Sequence, residues 1–152
     1  MDNNYLIEVL NDLLEVCIIS EEKLRQASYY INSRELQRLF NEESYQRGLL
    51  VSELQAEVAH LDGTPVSQGT IAGSLPDNWL NIRTEFQGSD ENILSRVEES
   101  ENLVSSLFKR ILQLPLPSYL RSVLEQKSAQ INSALARIQA FRDRQLPRYK
   151  TA

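Results

Sequence analysis

The chain is poor in the residues on which most chemistry relies. Its 152 residues include one cysteine, Cys17, and one histidine, His60. A lone cysteine forms no intramolecular disulfide, and metal-based redox or hydrolytic chemistry needs neutral histidines or enough convergent carboxylates. Five glycines and five prolines are few. They cluster between apolar-periodic segments, as a helical protein would place them. Neither Gly-x-Gly-x-x-Gly nor a P-loop occurs, so a glycine loop that cradles phosphate has no support. Positive charge is also in deficit: 16 Lys and Arg stand against 21 Asp and Glu, for a net charge of −5. That balance lacks the basic footprint nucleic acid requires. With no apolar run of membrane length and no charged-then-apolar leader, the expectation is a cytoplasmic chain with no membrane span.

What is present is helical periodicity over a length that suits a single domain, 1–152, with 41% hydrophobic residues. Apolar or small residues at Leu6, Leu10, Leu13, Cys17, Ser20, Leu24, Ala27 and Ile31 alternate steps of four and three, which predicts a helix over 4–31. Glu8, Asp12, Glu15, Glu22 and Gln26 fall on the opposite, solvated arc. Ile18 and Ile19 fall there too, and two adjacent outward isoleucines mark a docked element or a subunit contact. Asn32 followed by Glu35 predicts a cap for a second helix over 33–61. This helix carries Leu36, Leu39, Phe40, Leu50, Leu54, Val58 and Leu61 on one stripe, with Glu43 and Arg47 in the middle of it. Asp62-Gly63 is a left-handed stop.

A segment rich in Gly, Ser, Thr and Pro follows. Beyond it, Leu75, Trp79, Ile82 and Phe86 share one face of a short crossover helix, whose tryptophan either covers the bundle or joins the interaction surface. A third long helix, 90–113, has Ile93, Val97, Val104, Phe108 and Ile111 inward with Glu101 among them. Leu114-Pro115-Leu116-Pro117 makes a corner. The fourth helix, 118–145, buries Leu120, Val123, Leu124, Ile131, Ala134, Ile138 and Phe141 with Lys127 on the same stripe. Residues 144–152 read as a flexible basic tail.

Two antiparallel helical hairpins joined by a long crossover form an all-α, ferritin-like four-helix bundle. The runs Leu10-Asn11-Asp12-Leu13-Leu14-Glu15, Arg34-Glu35-Leu36-Gln37-Arg38-Leu39-Phe40, Gln46-Arg47, Glu53-Leu54-Gln55-Ala56-Glu57-Val58, Ile71-Ala72-Gly73 and Arg137-Ile138-Gln139-Ala140-Phe141-Arg142-Asp143 carry a likeness over most of the chain. It resembles an uncharacterised bacterial family of ferritin-like four-helix bundles, a domain of unknown function. It resembles a divergent member, with Ile19-Ser20 and Leu135 where the family pattern has Asp-Gly and histidine. The resemblance implies the fold and carries no activity with it.

A ferritin-like dimetal centre takes a glutamate from each of two helices and Glu-x-x-His from each of the other two. At that level this sequence offers Glu43, Arg47, Glu101 and Lys127, two carboxylates and two cations, so the expectation is an interior salt-bridged layer with no catalytic residue, no cofactor and no metal. Glu57-Val58-Ala59-His60 spells the metal motif once, but His60 lies off the apolar stripe near a helix end. Function then reads as association with a protein partner or in a homo-oligomer. The alternative is an Fe- or Mn-binding bundle with an irregular site at Glu43 and Glu101. A small apolar ligand in the interior or under the crossover helix is a third reading.

Overall fold

Three of the four helices in the computed structural model, which describes residues 1–67 and 88–150 apart from the side chains of 145–150, begin at a short polar side chain that caps them. The four are α1 (Asn3–Tyr30), α2 (Arg34–His60), α3 (Asp90–Ile111) and α4 (Ser118–Lys150). The Asp2 carboxylate accepts from the Asn4 N–H, and Ser89 Oγ from that of Asn92, which satisfies donors left open in a first turn. At α2 the cap is Ser33, whose Oγ accepts from the Leu36 N–H at 3.3 Å, one residue later than Asn32. α4 continues as helix to Lys150, past the expected end at 145 and through most of the stretch read as a tail. The short crossover helix, and Trp79 with it, lies outside the described residues.

The direction of the helices follows from one acidic side chain. Asp90, the first residue of α3, accepts from the backbone N–H groups of Asn32 and Ser33, both at 2.8 Å, at the start of α2. α2 and α3 therefore begin at the same end and run in the same direction, and His60 and Asp90 stand at opposite ends. The core is in two parts. One joins the first two-thirds of α1 to Leu50, Leu54 and Val58 of α2, Val104, Phe108 and Ile111 of α3, and Leu120, Leu124 and Ile131 of α4. The other joins Leu24, Ala27 and Ile31 to Leu36, Leu39, Phe40, Ile93, Leu94, Val97 and Ile138. Each fully buried Leu, Ile or Phe contributes about 1.5–3 kcal/mol. α1 lies against α2 and α3, α4 lies against α3, and of these adjacent pairs α2 and α4 pack together least closely. The result is an all-α four-helix bundle, with no strand among the described residues.

The helix ends are locked by specific contacts. At the close of α2 it is Asp62 that adopts the left-handed conformation, with φ 63°. Gly63 serves a different need: a Cβ there would lie 2.8 Å from Cγ2 of Ile7, so the chain passes α1 too closely for a side chain. Asn11 then holds the departing segment, donating to the Thr64 carbonyl and accepting from the Val66 N–H, each at 3.0 Å. At the proline corner the Arg121 guanidinium donates to the carbonyls of Leu112 and Leu114 at 2.7 and 2.5 Å.

Those contacts explain the main departure from expectation. Part of the arc of α1 read as outward is covered: Glu15 and Ile19 are buried and Ile18 is half-buried against the first core cluster, whereas Glu8 and Asp12 are exposed. Asn11 lies on the same side as Glu15, Ile18 and Ile19, one and two turns earlier, and the Val66 it positions packs into that cluster. A helix wheel shows one stripe facing a core, whereas α1 is packed on both sides. Ile18 and Ile19 are thus core residues and do not form an exposed interaction surface.

Candidate functional site

Between the two halves of the core lies a polar level built on α2. Arg47 and Glu101 are 2% and 1% exposed and meet in a bidentate pair, Nη1 to Oε1 at 3.0 Å and Nη2 to Oε2 at 2.6 Å. Parallel bonds of this kind are the strongest geometry available to a guanidinium and a carboxylate. Nη1 also donates to Ser20 Oγ of α1, and that hydroxyl donates to the Cys17 carbonyl at 3.1 Å. Ser20 suits the position because it is small enough for the arginine to cross to α3 and still supplies an acceptor.

Glu43, one turn before Arg47, pairs outward across the gap to α4. Its Oε1 accepts from Nη2 of Arg137 at 2.9 Å, and Arg137 is half-exposed, with Glu42 at 3.9 Å on its other side. Glu43 and Arg47 thus share a helix face without forming the direct i, i+4 pair. Lys127 lies outside this network. Its ammonium reaches Glu53 at 3.3 Å and its side chain is 14% exposed. Glu53 is six residues beyond Arg47, almost two turns along α2. The wide α2–α4 spacing leaves room for the lysine's aliphatic stem to lie along the core while its charge reaches water.

These environments set the charges. Burial works against ionisation of Arg47, but Glu101 at bonding distance, helped by Glu43, holds it charged well above the ordinary arginine range. Burial pushes Glu43 above the usual carboxylate range, as does the charge of Glu101, against the pull of Arg47 and Arg137. The Cys17 thiol, fully enclosed, is pushed up to about 12, first by burial and then by Glu101, with Arg47 opposing. A thiol so protonated and enclosed is no nucleophile.

The donor set does not fit a dimetal centre. Glu101 has both oxygens on Arg47, Glu43 is bonded to Arg137, and the chain's single histidine ends α2 in an exposed position. Among the described residues no group of three or more His, Cys, Asp or Glu side chains is placed to hold a metal ion. Arg137 is the member that sequence reasoning missed. It precedes the buried Ile138, and that position on the stripe's edge, facing an acidic α2, was the available signal.

The polar level lies mostly in one stretch of chain, with Ser20, Glu43, Arg47 and Glu101 before the proline corner and only Arg137 after it. No curated protein matches the sequence. Residues 5–114, which span α1 to the proline corner, match the family described as Domain of unknown function (DUF2383), and the chain belongs to that family.

Proposed function

We propose that the protein is a non-enzymatic, ferritin-like bundle of the cytoplasm that acts by association, with itself or with a protein partner, and that an internal ion pair stands where a dimetal centre would lie. The observation that carries this is the Arg47–Glu101 pair. A guanidinium seated on both oxygens of an inward glutamate supplies positive charge at the level where metal ions would supply it. Two further facts support the reading: among the described residues no helix is long and apolar enough to cross a membrane, and a net charge of −5 argues against nucleic acid. Exposed Tyr45 and Leu49, one turn apart on α2, are among the apolar side chains left for association.

The test is elemental analysis of protein purified without a histidine tag, followed by thermal melts with added Fe(II) or Mn(II). A ligand that binds only the native state raises Tm with its concentration. Stoichiometric metal, or a concentration-dependent rise abolished by Glu43→Gln, would replace this reading with a metal site at Glu43 and Glu101.

A further inference from the structure

The side of the bundle formed by α1 and α3 carries a groove of about 360 Å³ between the first turns of α1 and the last turns of α3. Tyr5, Val9, Leu107 and Leu114 line it, together with Glu8, Asp12 and Arg110. Tyr5 is 48% exposed, and Leu103, one turn before Leu107 on the same stripe, is 42% exposed. The groove is thus a strip of mixed apolar and charged side chains open to water. Its charges are unusual because they are unused: among the described residues no ion pair engages Glu8, Asp12 or Arg110. Glu8 and Asp12 are spaced i, i+4, a mutually repelling arrangement on a helix. Burial and that neighbour both push the Asp12 carboxyl up.

We infer that this groove is a self-complementary face, and that a second copy of the chain docks on it about a two-fold axis parallel to the bundle. The inference rests on the association reading above and names its surface. An isologous contact places residue i on j and j on i. Two such arrangements bring these faces together. With the axis along the bundle, α1 of each copy faces α3 of the other at the same level, so Arg110 of one meets Glu8 and Asp12 of the other, twice. With the axis across the bundle, α1 faces α1, and the acidic pairs confront each other. The charges select the first, and Tyr5, Val9, Leu103 and Leu107 become the apolar centre of a layer of four helices.

The experiment is light scattering on the size-separated full-length chain, with circular dichroism to confirm folding. Wild type is expected to be dimeric. Arg110→Glu makes the groove wholly acidic, and Glu8→Arg with Asp12→Arg makes it wholly basic. Each variant alone should be monomeric, with the dimer Kd raised at least about 100-fold, since like charges juxtaposed at an interface cost several kcal/mol. Mixed, the two should form a one-to-one heterodimer, and the triple reversal in one chain should restore the homodimer. Leu103→Lys offers an arm independent of charge reversal and should weaken the dimer as well. A monomeric wild type would overturn self-association and this surface with it. A dimeric wild type indifferent to these changes would overturn the surface alone. A triple reversal that stays monomeric would overturn the choice of axis.

Discussion

Taking a guanidinium out of water costs several kcal/mol, and Arg47 offsets that cost only because Glu101 and Ser20 meet it with well-aligned acceptors. Each partner is consequently destabilising when alone. Arg47→Ala or Glu101→Gln should lower unfolding free energy by about 3–5 kcal/mol, measured by urea denaturation, because each leaves a buried charge uncompensated. Replacing both with apolar residues of similar volume should cost far less than either single change, since the desolvation penalty disappears with the attraction. Single losses below about 1 kcal/mol, as for exposed pairs, would show the level to be hydrated. Glu43 gives a second test, in pH. Its folded-state carboxyl titrates above its unfolded value of 4.5, so the native state binds the proton more tightly. That contribution is fully present below pH 4.5 and is lost as pH rises through the folded value. Compared with Glu43→Gln, wild type should therefore lose relative stability on going from pH 4 upward and then level off. A difference that is flat, or that grows with pH, would refute the assignment.

Asp90 ties the first turn of α3 to the corner between α1 and α2. Hydrogen bonds to a charged acceptor are worth about 1.5–3 kcal/mol. Asp90→Ala should cost about that or more for the two together, and Asp90→Asn should retain part of it, as read from thermal melts. An unchanged Tm would mean that the corner is held by packing alone. Such long-range ties were not legible in the sequence. The stripes of α1 to α4 were, because a side chain's phase on a helix is a local property, and Glu43, Arg47 and Glu101 stood out as charges within those stripes. The burial of Glu15, Lys23 and Ile19 was not, since it depends on how the neighbouring chain packs around α1, which the helix's own periodicity does not encode. Lys127 was misplaced for a related reason. Its phase was right, but the gap between α2 and α4 decides where so long a side chain ends. Glu98, buried and paired with Arg142 across α3 and α4, was missed in the same way.

At the scale of the molecule, α1 packs against both α2 and α3, whereas α2 and α4 are bridged by ion pairs with the acid on α2 and the base on α4: Glu35 with Arg144, Glu43 with Arg137, and Glu53 with Lys127. Each pair has at least one partner about half-exposed or more, so each adds little, and the bundle stays shut through the apolar packing on its other sides. Cys17 sits behind all of it, with no exposed surface and its proton firmly held. The only thiol in the chain is therefore a built-in clock. A disulfide reagent can reach it only while the bundle is open, so when reclosing outpaces labelling the observed rate is the rate for a free thiol multiplied by the fraction of molecules open at that moment. In wild type, modification should be slower than in urea-unfolded chain by the full opening equilibrium. Arg47→Ala should accelerate it by the factor its stability loss implies, tenfold for every 1.4 kcal/mol. A rate that ignores stability would reveal a local route to the thiol, past α1, that leaves the rest of the helices closed.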